Sequence, residues 1–409
     1  MKDVLFVIGV RRLIAPVAVV AALVALAAVG SAQARPAVGT LHCGDTVKAS
    51  VKLANDLVGC TGSGLIAGAD NITIDLNGHT ISGTDKPTPG TGGVQIDKHA
   101  NVKILNGTIT GFHFSGVGVT NARGTVLSNL TVRKIGSGCK QGDVCAGIAL
   151  MNATGTRITD SIDSNQVQAF QANGIDVDGS PDTLIQGTRV DRNTGAGISV
   201  FQSPRSRFVG NELAGNKQEG LQVNSSSDST VVSGNRAMAN GTAGIAAGAS
   251  SKLSVVGNTV SRNGQVGLLL FDLTGGLVRG NRASGNPFGI VLYAGQAGVA
   301  QYGGKHGAAH NQLIGNSTTG NSSGGILVRG DGGKDVADDN LLSGNVANSN
   351  GRVGGIAIEG SATANKLRAN TANANKGQGI VALRGTIDAG GNRAHGNRRS
   401  PQCVGVRCS

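Results

Sequence analysis

Tryptophan is absent from this chain of 409 residues, and the other large aromatics, eight Phe and two Tyr, amount to 2% of it. A globular core of this size ordinarily holds far more aromatic mass. The scarcity therefore excludes a thick interior and points to a thin one filled by Ile, Val, Leu and Ala. Proline is scarce too, eight residues in all, which argues against disorder and leaves strand ladders uninterrupted. Charged residues reach only 15%, and the basic ones are dispersed without interleaved aromatics, so no nucleic-acid partner is indicated.

What the chain has in quantity is glycine, 67 residues, and a repeat. Asn211, Asn235, Asn258, Asn281, Asn316, Asn345, Asn370 and Asn392 recur every 22 to 35 residues, and each is followed at a spacing of five by another asparagine, from Asn216 to Asn397. A glycine and two apolar residues spaced by one usually follow, as in Gly220, Leu221 and Val223. Self-similarity at this period marks a solenoid, in which each unit buries its apolar face only against its neighbours. Apolar residues two apart fit a strand with one face inward, and each Gly-Asn pair fits a turn of positive φ. Stacked coils bring like residues about 4.8 Å apart, so the asparagines are expected to form ladders of side-chain amides along the axis. Between Asn71 and Asn397 there is room for about 13 coils of about 25 residues each.

Residues 1–34 read as a secretion signal: Lys2, Arg11 and Arg12 precede the apolar run Leu13–Val29, and Ala32, Gln33 and Ala34 form a cleavage site. Its removal leaves a net charge of +10, which suits an acidic polysaccharide or envelope surface, and no stable membrane insertion is expected afterwards. All six cysteines follow that point, as expected of an oxidising compartment. Their grouping favours the local pairs Cys43 with Cys60, Cys139 with Cys145 and Cys403 with Cys408. The organisation expected is a signal over 1–34, an N-terminal cap over 35–67, the solenoid over 68–397 and a C-terminal disulfide tail over 398–409.

These repeats resemble the right-handed parallel β-helix proteins of the pectin-lyase-like superfamily. The segment CGDTVKASVKLANDLVGCTGSGLIAGADNITIDLNGHTISG is similar to the start of secreted β-helix proteins grouped with the copper-binding β-helix domain of nitrous-oxide-reductase accessory proteins. The resemblance implies an all-β fold, a single-stranded right-handed parallel β-helix. It leaves activity open, because lyases, hydrolases, epimerases and adhesins share the architecture. The stretch NGIDVDGS resembles part of the polygalacturonase motif NTDGID, but Asn173 stands where that motif has its catalytic Asp. The paired-Asp and Gly-His-Gly motifs of that family, and the Asp-Pro-His-Asp motif of alginate epimerases, are missing.

Aligning the coils on the apolar pair gives two outward rows. One holds Asp176, Ser199, Gln222, Leu269, Val291, Leu327 and Val381, and the other Asp178, Phe201, Asn224, Phe271, Tyr293, Arg329 and Glu359. Glycosidic chemistry wants two carboxyls about 5 to 9.5 Å apart. Asp178 and Glu359, seven coils or about 34 Å apart, fail this; Asp176 and Asp178, about 6.6 Å apart on one strand, meet it. They are the candidate catalytic pair, with Ser199, Phe201, Gln222, Asn224, Phe271 and Tyr293 as substrate-binding residues. Arg329 and Glu359 are expected to pair with each other. Leu269, Val291, Leu327 and Val381 form an apolar stripe that needs cover, from the insertions at 294–310 and 330–339 or from a second copy of the chain. No cofactor is required. Ca²⁺ at the Asp pair or among Asp331, Asp335, Asp338 and Asp339 is the one candidate, since the spacing of His306 and His310 in a Gly-rich loop has no geometric force. The function expected is a secreted, periplasmic or cell-surface protein that binds polysaccharide, anionic by the charge argument, along one sheet. A glycan lyase, hydrolase or epimerase is the first alternative and a surface scaffold or adhesin the second.

Overall fold

The structure, a computed structural model, describes residues 37–84, 91–136, 139, 145–164, 172–295, 307–332 and 335–409. The expected signal at 1–34 and most of the insertion at 294–310, His306 included, lie outside them. Every strand pairing in the described region is parallel apart from one short antiparallel bridge, Gly332 to Asp335. The chain winds as a parallel β-helix with three faces.

The first face carries fifteen strands stacked in chain order. It begins with Asp45–Val47 and Leu65–Ala67, inside the opening stretch, and ends with Cys403–Val404 in the tail. The second and third faces are built from strands of three residues, such as Arg207–Val209 and Glu212–Ala214, whose central side chains Phe208 and Leu213 point inward. Near the N-terminal end those two faces share the longer strands Lys103–Thr110 and Val126–Arg133. One aliphatic core runs through the stack, from Val47 to Ala382. Each coil supplies a few methyl-rich side chains that pack on the same positions of the next coil, with Phe112 and Phe208 the large rings buried among them.

The corners explain the asparagines. Asn211 Nδ2 donates to Asn235 Oδ1 at 3.0 Å, and the same oxygen accepts the backbone N–H of Asn211 at 2.9 Å. Asn235 Nδ2 in turn donates to Asn258 Oδ1 and to the carbonyl of Phe208. This ladder turns the corner between second and third faces and continues to Asn392. Its companion, from Asn193 to Asn397, turns the corner back to the first face. All these amides are buried and fully paired, which removes the penalty of burying a polar group. Positive φ falls on the residue before each ladder asparagine, not on the asparagine: Gly210, Gly234 and Gly257 adopt it, and so do Ala239, Arg262 and Ala369.

Two features of the ladders were not read from the sequence. A third ladder joins Asn311, Asn340 and Asn365; each stands five residues before a marked asparagine, so the same spacing would have revealed it. At the C-terminal end Gln402 Oε1 accepts both the backbone N–H and Nδ2 of Asn397 at 2.8 Å, taking the place of the next asparagine. The three expected disulfides are all present. No helix among the described residues is long and apolar enough to cross a membrane.

Candidate functional site

On the first face the strand register places the two outward rows as expected. Asp176, Ser199, Gln222, Ala246, Leu269, Val291 and Leu327 lie on successive rungs, and Phe271, Tyr293, Arg329 and Glu359 do so beside them. The carboxyls of Asp176 and Asp178 share the strand Asn173–Asp178. Asn173 Nδ2 donates to Asp176 Oδ1 at 3.2 Å. Burial pushes the Asp176 carboxyl above the usual carboxylate range, against hydrogen bonds from Ser199 and Asn173, and the Asp178 charge adds to the rise. Asp178 is raised by burial as well, opposed by the N–H of Gly179.

A concavity opens further along the same face, with a volume of about 590 Å³. Its floor is Ala246, Leu269, Val291 and Leu327; one wall carries Asn224, Phe271, Tyr293, Arg329 and Asp331, and the other Glu219, Gln265, Val266 and Phe288. Of the residues singled out in the sequence, Gln222, Asn224, Phe271 and Tyr293 line this groove, whereas Asp176 and Asp178 do not. Asp176 reaches Gln222 in two rungs through Ser199, so the carboxyl pair stands beyond the groove's end.

The second wall was missed because the alignment began at the apolar pair. Two residues before that pair, Ala243, Val266 and Phe288 form a third outward row in register. Asp331 was read as a loop acid. It follows Arg329 by two residues, and its carboxylate accepts the Tyr293 hydroxyl and Arg329 Nε, the latter at 3.2 Å. Arg329 is thus paired with Asp331 rather than with Glu359, although Arg329 and Glu359 are register neighbours. Burial, then the hydrogen bond and charge of Asp331, push the Tyr293 phenol up to about 12.

Phe271 is not the exposed ring expected: it is 9% exposed and packs on Ala243, Ala246 and Ala249, with Val266 and Leu269 alongside. The cause is Gly248 on the preceding rung, where an added Cβ would lie 2.8 Å from the ring. The same Cβ would lie 1.8 Å from the Phe271 carbonyl oxygen, so no side chain fits beneath this rung. Val291 is likewise buried, while Leu269, Leu327 and Val381 are partly covered. Among the acids considered for Ca²⁺, Asp331 is engaged as above and Asp339 accepts from or pairs with His310 Nδ1 at 2.7 Å. No group of three or more His, Cys, Asp or Glu able to hold a metal occurs among the described residues.

Comparison with known proteins agrees on the fold. The family model for a right-handed β-helix region matches residues 146–305. Among solved structures the chain is similar to the A-module of a mannuronan C-5 epimerase from Azotobacter vinelandii, with 18% identity and a TM-score of 0.60 over 86% of this chain and 91% of that one. It is also similar to the Dettilon tailspike protein, at 14% identity and a TM-score of 0.49 over 82% of this chain and 61% of the other. A surface adhesin of Streptococcus pneumoniae follows at 11% and 0.42, over 89% and 83%. No curated protein matches the sequence. At these identities the likeness speaks for the fold alone, a right-handed parallel β-helix.

Proposed function

We propose that this right-handed parallel β-helix is a secreted or envelope-facing protein that binds a polysaccharide chain in the groove of its first face. The observation that carries the reading is the groove's make-up. An aliphatic floor one side chain wide is flanked by Phe288 and Tyr293 and by the amides of Gln222, Asn224 and Gln265. Such a mostly apolar trough with a few convergent polar groups is how a fold holds a ligand that is itself both apolar and polar. A pyranose has C–H faces for the floor and hydroxyls for the rim. Four rung spacings, about 19 Å, separate Gln222 from Leu327 along the axis, enough for several sugar units. Three disulfides support a site outside the reducing cytoplasm.

Affinity electrophoresis of the mature protein through gels cast with different polysaccharides tests the reading. Retardation by at least one of them is expected; unaltered migration in all would reject it and leave the scaffold reading.

A second reading, that the face also cleaves or epimerises its glycan, is favoured by one observation. Asp176 and Asp178 are neighbouring carboxyls with raised pKa just past the groove's end, and raised carboxyls are what general acid chemistry uses. Turnover of a bound polysaccharide that is lost in both Asp176→Asn and Asp178→Asn would establish it; binding without turnover would exclude it.

A further inference from the structure

The charge that favours an acidic partner belongs to the whole chain, and the groove does not share it. Its charged side chains are Glu219, Asp331 and Arg329, two carboxylates against one guanidinium. Arg329 is already committed, with Nε 3.2 Å from Asp331 Oδ1. The basic residues lie instead on the other faces, as at Arg207, Arg236, Arg279 and Arg282. With Arg329 and Asp331 cancelling, a carboxylate brought onto the floor would meet the uncompensated charge of Glu219 and no free cation of the lining, in a partly desolvated trough where repulsion is screened far less than in water.

One polar group in the wall is unsatisfied. Asn224 is 6% exposed and lines the groove, and its Oδ1 is buried without a hydrogen-bond partner. Six buried side-chain oxygens among the described residues lack a partner, and of these Asn224 Oδ1 alone belongs to a residue lining the groove. Buried acceptors left open are rare and costly. Facing a donor in the groove requires the amide to turn about its terminal torsion, a turn that breaks no bond of the oxygen. A ligand with an O–H or N–H donor at that point removes the deficit.

We infer that the groove selects an uncharged glycan and seats one of its donors, a sugar hydroxyl or an acetamido N–H, on Asn224 Oδ1, with the C–H faces or acetamido methyl on Ala246 and Leu269. The inference rests on the reading of the first face as a polysaccharide site and narrows its ligand class. Uronate chains are disfavoured by Glu219 and find no uncommitted cation in the lining, a cost that neutral chains do not meet. Either donor serves Asn224; which one it is depends on the sugar.

Titration calorimetry with the full mature chain decides it. The probes are neutral gluco- and manno-oligosaccharides, N-acetylglucosamine oligomers and oligouronates. The expected result is binding by one neutral class, at least tenfold tighter than any oligouronate and unchanged by raised salt. Asn224→Leu, of similar volume and checked for an unaltered circular dichroism spectrum and melting profile, should weaken that binding tenfold or more. Preference for plain oligosaccharides would identify the hydroxyl as donor, and preference for the N-acetylated ones the amide. Tighter binding of an oligouronate overturns the inference, as does undiminished neutral binding by Asn224→Leu. Should Asn224→Leu fail to fold, Asn224→Ala replaces it: the lost acceptor must also weaken the neutral ligand, and unchanged affinity overturns the proposal. Absence of binding to every class rejects the polysaccharide site itself, an outcome distinct from binding of the wrong class.

Discussion

Asn235 Nδ2 lies 3.0 Å from Asn258 Oδ1, its counterpart one full coil of 23 residues later. That contact makes the repeat legible: identical residues recur in sequence because they touch in space. Asn258 makes four side-chain hydrogen bonds, accepting from the backbone and amide of Asn235 and donating to Asn281 Oδ1 and the Val232 carbonyl. Asn258→Ala would leave several buried groups unpaired, each costing about 1–3 kcal/mol. The expected loss is roughly 3–5 kcal/mol, read as a lower urea midpoint. Asn258→Asp should also destabilise, because a carboxylate oxygen would face the Val232 carbonyl. A loss below about 1 kcal/mol for both variants would show that the ladders are ornamental to stability.

The N-terminal coils depend on the bond between Cys43 and Cys60, which closes a loop of separation 17. Loops of this length stabilise by about 3 kcal/mol, and a solenoid can fray from one end while the rest persists. In the Cys43→Ser, Cys60→Ser variant the amides of Val47, Leu53 and Leu65 should exchange roughly 100-fold faster, with those around Leu268 unchanged. Uniform acceleration along the chain would contradict this local role.

Tyr293 should ionise at about 12, which an alkaline absorbance titration of wild type against Tyr293→Phe measures. Asp331→Asn takes away a charge and an acceptor that both hold the phenolic proton, so the transition should move down. It should not reach 10, because burial is the larger cause. An unmoved transition would mean that the pairing with Asp331 does not persist in solution.

For Asp176 the sign follows from its raised folded pKa. Ionisation is easier in the unfolded chain, so the folded state is penalised as pH rises through the interval between the unfolded and folded values. The penalty is constant above that interval and absent below it. Asp176→Asn should therefore raise the melting temperature at pH 7 by about 1–4 °C, and the difference should vanish below about pH 4, near the unfolded carboxylate value. A gain that persists at pH 3, or no gain at pH 7, would contradict the burial argument.

How far the sequence reached follows from what each residue's neighbours are. Ladder asparagines and inward aliphatics contact their own equivalents, so period and spacing revealed a stacked solenoid of strands and its rows, while the resemblance supplied the right-handed β-helix and the local grouping of cysteines the disulfide pairs. Phe271 and Asp331 were misplaced because their partners are not equivalents. Phe271 depends on the missing side chain of Gly248, and Asp331 sits in an inserted stretch where the repeat no longer dictates position. The wall with Phe288 escaped because its row lies before the apolar pair on which the coils were aligned. Asn224 was identified by its row, but its unpaired oxygen is visible only in three dimensions.

The claim that the groove is the binding site is tested most directly by filling it. Val291 lies at the middle of the floor, and Val291→Trp would occupy the space without touching the core on the other side of the sheet. For the glycan that the wild-type chain binds best, calorimetry should show affinity reduced at least 100-fold in this variant while its melting temperature stays within a few degrees. Equal affinity in the two proteins would contradict the account.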